Sequence, residues 1–252
     1  MVCLPTELIL IIIDLLHDDP EALRRCCLAS KSFIDPTRTH LFKRVYFKEP
    51  DDLQAWKECF PVPERSPSTF TKDLRFDCAE RVEDERFTEW IQSFTNVVRL
   101  EVSAARMPRE GQGVFTRFHS LSLHGVKSLT VGWVGDRGAQ EVFDFICSFP
   151  LLEDLRVVGD GLLDRTPNGN ALLPKLTGTF AFEPRNPDFM ERFLNLPVDL
   201  HFREIVYVNQ EGDEYLTELV ERCSNTLECV EIKHDGSKSS KSPPPTTGRL
   251  MT

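Results

Sequence analysis

Basic residues are in the minority in this chain. Lysine and arginine together number 30, against 40 aspartate and glutamate residues, which leaves a formal net charge of −10 over 252 residues. Proteins that bind nucleic acid through its phosphates need clustered Lys and Arg to displace the counterions. The composition therefore argues against a general nucleic-acid-binding protein.

Long hydrophobic runs are also missing. The aliphatic stretch from Leu8 to Leu16 is interrupted by Asp14 and is far shorter than the roughly 20 residues that cross a bilayer. The opening residues MVCLPTEL lack the basic segment of a secretory signal, and no small-residue cleavage site follows. We therefore expect no membrane association, and a location in the cytoplasm, the nucleus or both.

Motifs of catalysis and metal binding are scarce. The eight cysteines form no Cys-x-x-Cys pair, and the sequence contains neither a Gly-x-Ser-x-Gly elbow nor a glycine-rich phosphate loop. His17, Asp18 and Asp19 have the side-chain types of metal ligands, but consecutive polar residues at a helix end are usually solvated. The sequence predicts a protein that is not an enzyme and needs no cofactor or metal.

The segment LPTELILIIIDLLHDD at residues 4–19 begins with helix-start signals. Pro5 suits the first turn of a helix, where no N–H is needed, and Glu7 is favourably placed in the helix dipole. The apolar positions that follow are 8, 9, 11, 12, 13, 15 and 16. They occupy more than one side of the predicted helix, so this helix has to be covered on several sides.

Two further short helices are predicted before residue 48. The segment DDPEALRRCCLASKSFID has an acidic start and an apolar set, and RTHLFKRVYF adds Leu41, Phe42, Val45 and Phe47. Three short helices in about 47 residues make a core too small to be stable alone. A second protein that covers the remaining apolar surface would resolve this.

Residues 1–47 resemble an F-box in the order and spacing of their motifs. LPTEL matches the Leu-Pro-x-Glu-Leu start, an aliphatic run follows, and SKSF and RTHLF match the later elements. F-boxes bind the Skp-family adaptor of cullin-based SCF ubiquitin ligases, so the resemblance implies this adaptor, and through it a cullin, as partners. It places the following residues at or near the adaptor interface: Leu4, Pro5, Leu8, Ile12, Leu15, Leu16, Leu28, Ser30 and Leu41.

An apolar-x-apolar triplet recurs seven times beyond residue 70. The first residues of successive triplets are separated by 26, 29, 26, 25, 25 and 25 positions, and each triplet predicts a short strand with alternating faces. The triplets are Leu74–Phe76, Leu100–Val102, Leu129–Val131, Leu155–Val157, Phe180–Phe182, Ile205–Tyr207 and Val230–Ile232. Between several triplets lie stripes with helical spacing, such as Val142, Phe145, Ile146 and Phe149.

Strand-helix units of about 25 residues cannot bury their own apolar surfaces, so the units are expected to stack with parallel strands. The predicted fold class is α/β: a three-helix F-box followed by a curved strand-helix solenoid with a parallel sheet. The repeats resemble leucine-rich-repeat proteins, in the irregular style of fungal, basidiomycete-like F-box proteins, although the Asn that usually follows the Leu-x-Leu core is absent. The role of FHSLSL at 118–123 stays open, because it lies so close before the triplet at Leu129.

The predicted organisation has four parts. They are an F-box at 1–47, a proline-rich linker at 48–69 with one short helix near Leu53 to Cys59, a leucine-rich-repeat-like solenoid at 70–233, and a disordered tail at 234–252. No polar capping repeat precedes the tail, so the last core face is expected to be exposed, covered by a partner, or part of a truncated gene product.

The middle residues of the triplets would line the concave face of such a solenoid and meet a ligand. The candidate target-binding residues are Arg75, Glu101, Thr130, Arg156 and Glu231, whose alternating charges favour a protein over an apolar small molecule. The sequence thus predicts the substrate-recognition subunit of an SCF ubiquitin ligase, which holds an unknown target near the ubiquitin-charged enzyme. A non-ligase interaction scaffold with a degenerate F-box, and a hydrolase or transferase in the α/β region, remain alternatives.

Overall fold

The first part of the fold is a unit of three short α-helices. The computed structural model describes residues 4–77, 87–104, 123–133, 139–159, 174–184, 188–196, 200–209, 214–234 and 249–251. Within the first of these ranges lie α1 (Thr6–Leu15), α2 (Pro20–Ala29) and α3 (Ile34–Leu41), with a 3-10 turn (Lys31–Phe33) between α2 and α3. As the acidic start predicts, the Asp19 carboxylate caps α2 by accepting the N–H groups of Glu21 and Ala22, at 3.1 and 3.0 Å.

The three-helix unit has a small core of its own. Ile9, Ile13 and Leu23 are its buried apolar residues, and Leu16, Cys26, Phe33 and Leu41 pack against them while remaining partly exposed. This cluster is separate from the large core that follows along the chain. So few buried side chains give little hydrophobic stabilisation, as the short length of the unit predicts.

Beyond α3 the chain builds one nine-stranded sheet whose strand order is the order of the sequence. β1 to β8 are parallel to their neighbours, and β9 pairs with β8 in the antiparallel sense. The strands are β1 (Arg44–Phe47), β2 (Asp73–Phe76), β3 (Arg99–Ala104), β4 (Ser128–Trp133), β5 (Asp154–Gly159), β6 (Thr179–Pro184), β7 (Glu204–Asn209), β8 (Cys229–His234) and β9 (Arg249–Met251). The predicted α/β class with a parallel sheet is confirmed.

All seven apolar triplets lie in strands, β2 to β8. Their first residues stand side by side in the sheet register, in the order Leu74, Leu100, Leu129, Leu155, Phe180, Ile205 and Val230. The first six of these residues are at most 2% exposed, because they point into the core between the sheet and the helices. The period of two within each triplet therefore identifies the buried face of the sheet correctly.

Backbone hydrogen bonds fix how each strand starts on its neighbour. The carbonyl of Lys43 accepts the N–H groups of both Lys72 and Asp73, at 2.9 and 3.0 Å. The carbonyls of Lys72, Val98, Lys127, Gly178 and Arg203 each accept two consecutive N–H groups of the next strand start in the same way. This recurring bond holds the strand starts in register, although the asparagine that usually follows the Leu-x-Leu core of a leucine-rich repeat is absent.

The described residues of the sheet unit include five helices, and the side chains that these helices bury share one core with the strands. They are α4 (Pro50–Cys59), α5 (Phe87–Gln92), α6 (Ala139–Cys147), α7 (Asp188–Leu194) and α8 (Glu214–Cys223); two 3-10 turns, Pro63–Arg65 and Pro67–Phe70, follow α4. The predicted stripe of α6 is fully buried, with Val142, Phe145, Ile146 and Phe149 at 1% exposure or less. The later helices also bury apolar residues in this core, such as Ile91 of α5, Phe193 of α7 and Leu219 of α8. The opposite face of the sheet is more exposed and carries charged residues, such as Arg75 and Arg156, together with a few aliphatic ones.

Two segments depart from the sequence prediction. Residues 44–47, expected in the third helix, form β1, because Val45 and Phe47 point into the sheet core and the Phe47 ring stacks on Phe76 with 5.0 Å between centroids. The stretch expected to be a linker contains α4, near the predicted short helix, and its Leu53 and Trp56 pack into the same core. Residues 44–59 are therefore part of the sheet unit.

The end of the chain adds a strand that the sequence does not predict. Residues 249–251, inside the tail expected to be disordered, form β9, and residues 235–248 lie outside the described residues. The segment FHSLSL at 118–123 lies just before the triplet at Leu129, and the sequence alone does not decide its role. The Leu129 triplet is β4, and 118–122 also lie outside the described residues.

Candidate functional site

One side of α1 presents aliphatic side chains to solvent. Leu8 is 46%, Ile11 54%, Ile12 38% and Leu15 78% exposed. Successive residues of an α-helix are rotated by about 100°, so these four share one side of the helix. We call these four residues the outer stripe, and an exposed apolar patch of this kind is a candidate interaction surface.

The opposite side of α1 is buried within the three-helix unit. Ile9 and Ile13 are 5% and 0% exposed in the small core, and Leu16 packs against that core. Leu10 lies on a third side of the helix and is 46% exposed, like Leu8. The helix is therefore apolar around most of its circumference, but only one side of it finds cover in the three-helix unit.

The other residues expected at the adaptor interface fall into two groups. Leu4, Pro5 and Leu28 are exposed, and Leu28 is 88% exposed at the end of α2. Leu16 and Leu41 instead pack against the small core and are only partly exposed. Ser30 is exposed, but its Oγ accepts the N–H of Ser32 at 3.4 Å and lies 2.9 Å from the Ser32 hydroxyl, which caps the 3-10 turn.

The five candidate target-binding residues lie in one row across the exposed face of the sheet. In the strand register, Arg75 stands beside Glu101, Glu101 beside Thr130, and Thr130 beside Arg156. Ala181 and Val206 then separate Arg156 from Glu231. The sheet therefore brings these residues together in the order that the triplets predict.

A polar cluster lies at the β1 end of this row. The Arg75 guanidinium donates two hydrogen bonds of 3.0 Å to the Asp77 carboxylate and lies 3.4 Å from Glu101. It also sits over the Tyr46 ring, 4.7 Å from the centroid, and the Tyr46 hydroxyl donates to Asp77. An arginine held by a carboxylate and an aromatic ring is pre-ordered for contact with a partner.

The pKa values of this cluster follow from its contacts. Burial works to raise the pKa of Asp77, but the hydrogen bonds from Arg75 and Tyr46, together with the charges of Arg75 and Lys48, outweigh it and lower that pKa. The hydrogen bond to Asp77, followed by burial, raises the pKa of the Tyr46 hydroxyl. Asp77 is therefore ionised and Tyr46 neutral at neutral pH, which keeps the cluster assembled.

Neighbouring charges on the exposed sheet face also neutralise one another. Arg99 bonds both oxygens of Asp73, at 2.7 and 2.6 Å, and Arg156 pairs with Glu183. Glu231 lies 3.5 Å from Lys233 on the same strand. Because these charges already have partners, the face is polar without a strong field of one sign.

Three residues of these surfaces were not predicted from the sequence. Ile11 belongs to the outer stripe, and its spacing of three from Leu8 and four from Leu15 is the signal that could have identified it. Tyr46 and Asp77 complete the Arg75 cluster. Recognising Val45–Phe47 as an eighth triplet would have placed Tyr46 in the row beside Arg75.

The described ranges hold no group of three or more His, Cys, Asp or Glu side chains arranged for a metal ion. None of the helices in these ranges has both the length and the apolar character needed to span a membrane. The chain matches no protein-family model and no curated protein.

Proposed function

We propose that this protein is the substrate-recognition subunit of an SCF-type ubiquitin ligase, with an F-box at its N-terminus and irregular leucine-rich repeats behind it. The observation that carries the proposal is the outer stripe of α1, which stays in solvent while Ile9 and Ile13 on the opposite side of the helix are buried in the small core. F-box-like motifs run through this unit in order. A Skp-family adaptor that covers the stripe would supply the apolar cover that the small core lacks.

The energy available from such cover is substantial. Burying a leucine or isoleucine side chain stabilises a complex by about 1.5–3 kcal/mol, and the outer stripe offers four, each at least 38% exposed. Leu4 and Leu28 add exposed apolar area in the same unit. Because the stripe residues are 38–78% exposed, covering all four contributes several kcal/mol, which is comparable to the lower end of the about 4–15 kcal/mol that association costs in translational and rotational freedom.

In this proposal the sheet unit holds the target and contributes position instead of chemistry. The row from Arg75 to Glu231 offers paired charges and hydroxyls on rigid strands, which suits a polar protein surface. Binding a target near a ubiquitin-charged enzyme raises the effective concentration of its lysines. The parallel sheet, in chain order, would be the concave wall of a leucine-rich-repeat solenoid.

The test is binding of the full chain to a purified Skp-family adaptor. The variant Leu8→Asp with Leu15→Asp places two charges on the outer stripe and is expected to weaken binding by about 100-fold or more. Leu10→Asp is the matched control, because Leu10 is as exposed as Leu8 on another side of the same helix. Absence of wild-type binding at micromolar adaptor, or an equal loss in the control, would refute the proposal and leave the interaction scaffold.

A further inference from the structure

The last parallel strand of the sheet differs from the others in its burial. In β2 to β7 the inward-pointing residues of the triplets are at most 3% exposed. In β8 the corresponding residues, Val230 and Ile232, are only partly buried, as is Leu227 just before the strand. No further parallel strand follows β8 in the described residues, so this strand forms the end of the repeating structure.

The backbone of β8 has one side turned towards β7 and one side turned away from it. The N–H of Cys229 donates to the carbonyl of Arg203, which belongs to the β7 side. Backbone groups alternate in direction along a strand, so Glu231 also faces β7, whereas Val230 and Ile232 direct their N–H and carbonyl groups outward. An outward row of this kind is a template for another strand.

A segment of the chain's own C-terminus lies on this edge. β9 pairs Val230 with Leu250, Cys229 with Met251 and Glu231 with Arg249, in the antiparallel sense. All other neighbours in the sheet are parallel, so β9 does not continue the repeat. Because the N–H and carbonyl groups of Val230 point away from β7, Val230 and Leu250 are the pair that exchanges backbone hydrogen bonds.

Charge favours the same association. Residues 235–252 contain Lys238, Lys241 and Arg249 against a single acidic residue, Asp235, while the whole chain carries −10. A positively charged segment is therefore attracted to the acidic remainder of the protein. A short connection also gives the segment a high effective concentration at the edge, of the order of millimolar.

We propose that the outward backbone edge of β8 is a strand-acceptor site, and that the segment Arg249–Met251 occupies it in cis. The site selects its occupant by main-chain hydrogen bonds to Val230, as in strand addition generally. Its ligand class is an extended antiparallel peptide, and the occupied edge is protected from pairing with other chains. The inference depends on the β8–β9 register alone and is independent of adaptor binding.

Proline substitution in the full chain tests this directly. Leu250→Pro removes the backbone N–H that faces Val230, whereas Met251→Pro removes a backbone N–H that faces away from β8. Neither variant changes the charge of the chain. Amide hydrogen exchange at Val230 is expected to accelerate by roughly tenfold or more in the first variant and to stay near wild type in the second. Exchange at Glu231, which is bonded to β7, reports on whether the sheet itself is intact.

A synthetic peptide of residues 246–252 extends the test to binding in trans. Added to the Leu250→Pro variant at about 1 mM or above, it is expected to restore protection of the Val230 amide, and the same peptide with proline at position 250 is not. An unchanged Val230 amide in Leu250→Pro, an equal effect of Met251→Pro, or no protection by the peptide at several millimolar would each overturn the proposal.

Discussion

The carboxylate of Asp154 takes the place that a backbone carbonyl holds at the other strand starts. It accepts the N–H of Thr179 at 2.7 Å, whereas the corresponding N–H groups of Asp73, Arg99, Ser128, Asp154, Glu204 and Cys229 donate to a main-chain oxygen. A Cβ on the preceding residue, Gly178, would lie only 2.1 Å from the Asp154 Oδ1. Position 178 therefore requires glycine, because the Asp154 carboxylate that accepts the Thr179 N–H occupies the space that a Cβ would need.

Gly178→Ala is expected to destabilise the protein by about 1–3 kcal/mol, because the new methyl group displaces the Asp154 carboxylate. In an Asp154→Ala background the same substitution should cost less, although the Glu153 carbonyl remains 3.0 Å from the Cβ position. Urea unfolding of the two single variants and the double variant measures this coupling. Gly125→Ala, whose Cβ would lie 3.3 Å from the Val97 carbonyl oxygen, is the control, and strictly additive losses would contradict the prediction.

Two adjacent isoleucines of α1 should differ strongly in the loss of stability that truncation causes. Ile13→Ala empties a fully buried position and is expected to cost about 2–5 kcal/mol, enough to unfold the three-helix unit. Ile12→Ala removes a side chain that is 38% exposed and should change stability by less than about 1 kcal/mol. Helix content by circular dichroism during thermal unfolding separates the two. Similar losses would mean that the outer stripe is covered by the chain itself.

The sequence identifies repeated local patterns well and single, non-local contacts poorly. The strands from Leu74 to Ile232 could be predicted because each triplet has the period of a buried strand and recurs at nearly constant spacing. β1 contains the same kind of triplet, Val45–Phe47, but these residues also continue the apolar pattern of the predicted third helix, so the local pattern favours a helix there. β9 could not be predicted, because its only partner is the backbone of β8, which no side-chain pattern records.

The same limit explains the outcome for the candidate site. The sequence shows that α1 is apolar on several sides, but periodicity does not say which side the small core takes. Leu16, which the resemblance places at the interface, packs against the small core while staying partly exposed, and Ile11, which is not among the predicted residues, is 54% exposed. Tyr46 and Asp77 lie 31 residues apart, so their hydrogen bond depends on the sheet register.

The Arg75 cluster predicts a pH dependence of stability. The folded-state pKa of Asp77 is lowered, so its contribution is fully present above the unfolded-state pKa of about 3.9 and is lost as the pH falls through the folded value. Wild type should therefore be more stable than Asp77→Asn at pH 7, and the difference should vanish towards pH 2–3. Denaturant titrations of both proteins across pH check this. A difference that does not change with pH would show that the Asp77 charge contributes nothing.

Thiol reactivity should distinguish the cysteines of the helices. Burial, followed by the charge of Asp144, raises the pKa of the Cys147 thiol to about 11, whereas Cys59 is exposed at the end of α4. Since the thiolate is the nucleophile, Cys59 is expected to react with iodoacetamide at pH 8 at least about ten times faster than Cys147. Mass spectrometry of the labelled peptides measures both rates, and labelling in urea should make them equal. Fast labelling of folded Cys147 would contradict the burial of α6.

Because β1 belongs to the sheet, we expect the three-helix unit to be separable from the sheet before residue 44 and not after residue 47. Phe47 is 2% exposed, stacks on Phe76, and packs edge-on against Trp56 and Phe94 at centroid distances of 5.9 and 6.2 Å. A fragment of residues 43–252 keeps this strand and should unfold cooperatively. A fragment of residues 48–252 exposes the edge of β2 and removes Val45 and Phe47, the neighbours of Leu74 and Phe76 on that side. It should therefore be less stable by several kcal/mol, about the effect of truncating a core aromatic residue. Equal unfolding midpoints would mean that β1 adds nothing to the sheet and that the boundary at residue 47 is a natural one.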